Sequence, residues 1–252
     1  MAGQLTRPER LAELLRAAGG SAVALTGAGV SVPSGIPDFR TPGTGLWADV
    51  DPMAVAHIDV FRRDPQTFWS FYGQRFATLS DKRPNGSHHA LAELERRGLL
   101  RAVVTQNIDG LHAAGGVTDL IEVHGTIATA SCLVDGERHP LEDVRARMEA
   151  ADDGVPRCDA GHPLKPDVVL FGELLPEAEI GRAFTLAGEA LLLLCVGTSL
   201  EVHPVAGLAE ITLRAGGEVA IVTAGPTPYD DLATVRLSGD VVDELEAVLA
   251  AI

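Results

Sequence analysis

Residues 22–40 read AVALTGAGVSVPSGIPDFR. Ala22–Thr26 is short and apolar with no polar alternation, the pattern of a strand buried on both faces. It runs straight into Gly27-Ala28-Gly29. Glycines in such a turn permit positive φ and let backbone N–H groups approach a pyrophosphate at the following helix N-terminus. On Gly27 and Gly29 alone, a tight turn without a ligand weighs as much as a nucleotide loop. The third glycine of the dehydrogenase fingerprint is replaced here by Val32. The continuation tips the balance. Ser31 is followed by Ser34-Gly35-Ile36-Pro37-Asp38-Phe39-Arg40, a proline-braced loop that sets an acid, an aromatic and a base just beyond the turn.

Outside this segment, apolar runs alternate with helical ones. Ser21–Thr26, Arg101–Thr105, Asp119–Val123, Asp167–Phe171, Ala190–Val196 and Glu218–Val222 read as strands. Helical patterns cover Asp64–Leu79, Ser87–Arg97, Pro176–Ala187, Pro204–Ala215 and Asp240–Ile252, and the N-terminus reads as a capped amphipathic helix rather than a signal peptide. Such alternation predicts an α/β fold with a doubly wound parallel sheet. Residues 41–83 and 125–165 are too long for ordinary connections, so they are expected to form a small module beside a larger domain of 1–40, 84–124 and 166–252. A net charge of −15 argues against a nucleic-acid surface, which needs clustered Lys and Arg. No apolar run is long enough to span a bilayer. Three cysteines make no disulfide framework, and a cytoplasmic monomer is the expectation.

The stretch from Gly27 to Arg40 resembles the signature of the sirtuin family, in which this loop covers NAD. Four further segments carry the resemblance: Thr105-Gln106-Asn107-Ile108-Asp109-Gly110-Leu111-His112, Glu122-Val123-His124-Gly125, DVVLFGE at 167–173 and GTSLEVHP at 197–204. The resemblance implies a Rossmann-like NAD-binding domain and transfer of an acyl group from protein lysine to ADP-ribose, with release of nicotinamide. It makes His124 the base for a ribose hydroxyl, and Asn107 and Asp109 the pair that orients nicotinamide and ribose. It assigns cofactor contacts to Gly27, Ala28, Gly29, Ser31, Ile36, Asp38, Phe39, Arg40, Gln106, Ile108, Gly197, Thr198 and Ser199. After the strand Glu218–Val222 the family commonly has an asparagine, where this chain has Thr223. An acyl-lysine peptide is expected between the last two segments, touching Val169, Phe171, Gly172, Glu173 and Val202. His112 reads as structural.

Two features depart from the common sirtuin pattern or refine it. Tyr72 and Arg75 stand three apart in a helical stretch, so they share a face. The pair resembles the Tyr-x-x-Arg of the class that reads the carboxylate of succinyl- or malonyl-lysine, a task suited to a planar guanidinium. On spacing alone an amphipathic helix with Tyr72 in the core and Arg75 in water is the better reading, and only the family resemblance brings the two level. The family's structural zinc, held by two Cys-x-x-Cys pairs, is doubtful here. Cys132 is in register, Asp135 replaces its partner, Ala160 stands at the last ligand position and Cys158 is out of register. An irregular site could draw on Cys132, Cys158, His162 and either Asp135 or His139. The metal-free reading is preferred. The same scaffold would also suit NAD hydrolysis, ADP-ribosyl transfer or non-catalytic NAD sensing.

Overall fold

Strand β1 (Ala22–Thr26) is buried along its whole length and sits inside a parallel sheet, as its unbroken apolar run predicts. The structure, a computed structural model, describes residues 5–38 and 51–252, the side chains of 52, 74–78 and 80 excepted. Among the described residues the sheet has six strands: β1, β2 (Leu100–Thr105), β3 (Leu120–Glu122), β7 (Leu192–Val196), β8 (Glu218–Val222) and β9 (Val235–Leu237). Their order is β3-β2-β1-β7-β8-β9. The direction of winding therefore reverses between β1 and β7, and a crevice opens there beyond the carboxyl ends of the strands. The register puts Thr26 beside both Thr105 and Val196 at that edge.

Alternation along each strand feeds two helix layers. Ala22 and Ala24 face a core that holds Leu11 and Leu15 of α1 (Arg7–Ala17), Leu91 and Leu94 of α5 (Gly86–Arg96), and Leu245 and Val248 of α10 (Val241–Ala250). Val23 and Leu25 face the other, with Ala183 and Leu186 of α8 (Glu177–Glu189) and Leu208 of α9 (Gly207–Arg214). The Thr6 hydroxyl and Glu9 form a capping box at the start of α1, and Asp240 caps α10. Helix α6 (Leu111–Ala114) is a single turn behind the β2 loop.

A third core lies outside this sandwich. Helices α2 (Pro52–Val55), α3 (Ile58–Arg63) and α4 (Pro65–Ser80) precede it, and α7 (Leu141–Ala150) follows the hairpin of β4 (Gly125–Cys132) and β5 (Arg138–Pro140). Strand β6 (Leu164–Val168) completes a three-stranded antiparallel sheet in the order β5-β4-β6. Phe68 and Trp69 are fully buried against Ile127, Val144 and Leu164, and the Trp69 indole donates to the Leu164 carbonyl at 3.0 Å. The strand expected at Asp167–Phe171 thus starts and ends earlier and belongs to this small sheet. Beyond it, Phe171 makes a lone bridge to His57.

Candidate active site

The Gly27–Gly29 turn takes its glycines for closeness, not for positive φ. Gly27 is extended (φ −133°), and a Cβ on it would stand 2.9 Å from Thr198 Cβ. A Cβ on Gly29 would fall 2.8 Å from both Cα and O of Gly197, whose carbonyl already accepts the Gly29 N–H at 2.8 Å. Gly197 itself has φ +59° and abuts the Val30 amide. Two backbones from the β1 and β7 ends therefore touch across the crevice. Gly29→Ala must push backbone against backbone. We expect it to cost about 1–3 kcal/mol, read as a lower denaturant midpoint at unchanged m. The segment that follows is a 3-10 turn, Ala28–Ser34, closed by Gly35 at φ +77°.

On the other side of β1, the loop after β2 packs its polar groups inward. Asn107 is 4% exposed, and its Nδ2 donates to the Gly27 carbonyl and to Ser31 Oγ, each at 3.1 Å. Ser31, 1% exposed, donates in turn to Asp109 Oδ2 at 2.7 Å. Asp109 also accepts from the Leu111 amide at 2.9 Å, which fixes its rotamer. Gln106 Nε2 reaches across the crevice to Thr198 Oγ1 at 2.9 Å. Asn107, Ser31 and Asp109 thus form one hydrogen-bonded chain, and Gln106 and Thr198 a second pair. Ile108 faces away from both and packs on the small-sheet core.

His124 joins the Gln106 pair through the backbone. Its Nδ1 lies 2.9 Å from the Gln106 carbonyl. A carbonyl only accepts, so Nδ1 carries the proton and Nε2 presents a lone pair. Burial lowers the His124 pKa from its ordinary 6.5, and the Gln106 bond partly opposes this. The neutral tautomer with a free Nε2 is therefore the resting form near neutral pH. Gly125 at φ +73° lets the chain turn into β4, since a Cβ there would collide with the Asp167 carbonyl. The His124 carbonyl accepts from Val169 N–H at 2.8 Å.

That bond brings in the next segment. Phe171, 44% exposed, and Val202, 37% exposed, stand at the surface, while Gly172 takes φ +85° against the His57 ring. Glu173 turns inward, accepting the Leu170 amide and Lys165 Nζ, both at 2.9 Å. Ser199 is half-buried, and the Thr223 amide donates to Leu237 O at the end of β8. Ile36 is 8% exposed and Asp38 is half-buried just after the 3-10 turn. Phe39, Arg40 and the Arg75 side chain lie outside the described residues. The Tyr72 ring stacks on Phe68 at 4.5 Å and 13°.

Sequence reasoning missed Asn85, whose Nδ2 braces the 3-10 turn at Val30 O (2.9 Å) and Ser34 Oγ (2.8 Å). Its signal was available as the N-cap of α5, an Asn just ahead of Gly86-Ser87. Cys158, out of register with the family's ligands, is expected from the sequence only as a donor to an irregular site. Despite its displaced spacing, its Sγ meets Asp135 Oδ2 at 3.2 Å, and Cys132, Asp135 and Cys158 bring their ligand atoms within 4.8 Å of one another. Three donors are one short of a closed tetrahedral site. Among the other candidate ligands, His162 is exposed and His139 is taken by Asp143 at 2.6 Å. Among the described residues, no fourth protein donor is grouped with these three.

The glycine-lined crevice, with buried amide and hydroxyl groups at the β1–β7 reversal, has the lining that a dinucleotide needs. Comparison with known proteins agrees with this chemistry. A profile described as the Sir2 family matches residues 27–204. An NAD-dependent protein deacetylase of Caldivirga maquilingensis is 42% identical over 248 residues, 98% of this chain and 95% of that one. An NAD-dependent protein deacylase of Thermus thermophilus is 43% identical over 230 residues, covering 89% and 87%. A solved Sir2 with a p53 peptide and NAD+ superposes with a TM-score of 0.87 at 38% identity, over 98% of each chain. A Sir2 bound to an acetylated peptide gives 0.87 at 37%, again over 98% of each. With the profile running from the nucleotide turn to the last residue of GTSLEVHP, this chain belongs to the Sir2 family, the sirtuins.

Proposed function

We propose that this sirtuin moves the acyl group of an acylated protein lysine onto ADP-ribose, with His124 as the base and Asn107 and Asp109 as the orienting pair. Its class is that of an NAD-dependent protein deacylase, in line with the 42% and 43% identical relatives. NAD supplies a ribose whose bond to nicotinamide breaks as the acyl oxygen attacks. The observation that carries the assignment is the His124 bond to the carbonyl of Gln106, the residue before Asn107, which leaves Nε2 as a lone pair. Asn107 and Asp109 have short side chains whose rotamers are held from two sides. Orientation of that kind lowers a barrier without any redox step. Thr198, Ser199 and Thr223 stand at the carboxyl ends of β7 and β8, where the phosphates and the adenosine end would lie. Val169, Phe171 and Val202 would line the peptide.

The acyl group on this reading is acetyl, or the acidic succinyl or malonyl. Tyr72 and Arg75 favour the acidic acyls: both sit on α4, whose Phe68 and Trp69 anchor it in the small core. Incubation with NAD should release nicotinamide only when an acyl-peptide is present. Release without peptide would mean hydrolysis instead. If Arg75 reads a carboxylate, Arg75→Met should lower kcat/KM for succinyl-peptide by about 10–100-fold, the size of a lost charge-assisted pair, and that for acetyl-peptide by less than about threefold. Equal losses on both peptides would leave Arg75 a surface residue of the helix.

A further inference from the structure

Two histidines buried behind the site take no part in the steps above. His88, in the first turn of α5, is fully buried, and His112, on α6, is 1% exposed. Their rings touch, with centroids 4.8 Å apart and planes at 57°. A backbone donor assigns the tautomer of His88, and the hydroxyl pair beside His112 is compatible with the matching one. The Asn85 amide donates to His88 Nδ1 at 3.2 Å, so the ring proton of His88 sits on Nε2. Thr26 Oγ1 donates to Thr105 Oγ1 at 2.8 Å and is left to accept from His112 Nε2 at 2.9 Å. With the two hydroxyls oriented in that way, His112 carries its proton on Nε2 and a lone pair on Nδ1. What remains is one donor, His88 Nε2, and one acceptor, His112 Nδ1. Both are buried, and neither makes a hydrogen bond to any group among the described residues, although the two rings are in contact. Two such groups buried alone would each cost about 1–3 kcal/mol, and the pair is complementary.

We infer that His88 and His112 are positioning residues for the NAD-dependent reaction: as a tautomer-matched pair they close a ring of hydrogen bonds that holds Ser31 against Asn107. The ring leaves the 3-10 turn at Val30 and Ser34, passes through the Asn85 side chain to its own amide, and crosses His88, His112 and Thr26 to Thr105. Thr105 Oγ1 accepts the Asn107 amide at 3.1 Å, and Asn107 Nδ2 returns to Ser31 and Gly27. The nucleotide turn and the Asn/Asp loop are thereby tied from behind as well as face to face. Burial keeps both rings neutral, with His88 lowered to about 4 and His112 to about 3. The inference rests on reading Ser31 and Asn107 as NAD contacts. An Asn107→Ala enzyme of unchanged activity would sink that reading while leaving the pairing of the histidines standing.

The test has a structural and a kinetic arm. In wild-type protein, nitrogen NMR of the histidine rings should show both protons on Nε2 and a scalar coupling between His88 Nε2 and His112 Nδ1. A His88 ring protonated on Nδ1 overturns the proposal. In His88→Leu, assayed well below its Tm, KM for NAD should rise about tenfold, the worth of one broken hydrogen-bonded link, while KM for acyl-peptide stays within about twofold. His88→Gln, which can accept from Asn85 and donate to His112, should recover most of that loss. The double variant with His112→Leu should be no worse than the poorer single, because one ring is broken once. Additive losses, or equal effects on the two KM values, overturn it.

Discussion

His124→Ala should lower kcat by about 10²- to 10⁴-fold, the range expected when a positioned general base is removed, with the KM for NAD and for acyl-peptide little changed. The loss must come from the base and not from the Gln106 bond. His124→Asn separates the two, since an amide N–H can replace the Nδ1 donor at 2.9 Å but offers no basic nitrogen. Asn should therefore be as inactive as Ala. The pH profile adds a check with a definite sign. Burial lowers the His124 pKa from 6.5, so the neutral base persists to lower pH than an exposed histidine would allow. The acidic limb of kcat/KM in the wild type should fall below pH 6.5, and it should vanish in both variants. A variant that keeps wild-type turnover, or an acidic limb above pH 6.5, would remove His124 from the role assigned to it.

The parts of this architecture that could be read from sequence are those where one local rule decides. β1, β7 and β8 are unbroken apolar runs buried on both faces, and no competing pattern explains them. β9 escaped notice because three residues, Val235–Leu237, are too few for any periodicity, and a neighbour's hydrogen bonds define it. At residues 164–171 the apolar pattern says extended chain, but which sheet the chain joins depends on pairing with β4, a contact nearly 40 residues away in sequence. Cys158 is a similar case. Counting back from Lys165 assumes a loop of fixed length, whereas the turn Cys158–Gly161, closed by Gly161 N–H to Cys158 O at 2.9 Å, absorbs the shift and returns the sulfur beside Cys132. For the site, motifs named Ser31, Asn107, Asp109 and His124, because chemistry constrains those positions. Of the bracing residues, Asn85 carries a sequence signal only as a helix N-cap, which says nothing of its bonds to Val30 and Ser34, and His88 acts through burial and tautomer, which have no signature until the chain is folded.

The same two histidines should make the fold acid-sensitive well above the range where its carboxylates titrate. His88 is lowered to about 4 and His112 to about 3, with burial the first cause in each; a nearby Asp109 charge opposes it for His88, and His88 itself adds to it for His112. An unfolded histidine titrates near 6.5. Between these values the unfolded chain binds protons that the folded chain refuses, so stability rises with pH through the window and is fully present above about 6.5. On lowering the pH from 7 to 5, each ring should cost about 2 kcal/mol, together roughly 4 kcal/mol, a large share of a typical domain's stability. Carboxylates contribute in a separate, lower window: Glu93 and Asp153 are both lowered to about 2 by arginine partners, so their stabilisation is lost only as the pH falls below about 4.5. Urea midpoints measured at pH 7, 6, 5 and 4.5 isolate the histidine window. His88→Gln should be less stable than wild type at pH 7 yet lose about 2 kcal/mol less between pH 7 and 5, because its buried proton site is gone. A wild-type midpoint that is flat from pH 7 to 5, or a variant with the full wild-type slope, would mean that these rings become protonated without unfolding and that the buried pair is not held neutral.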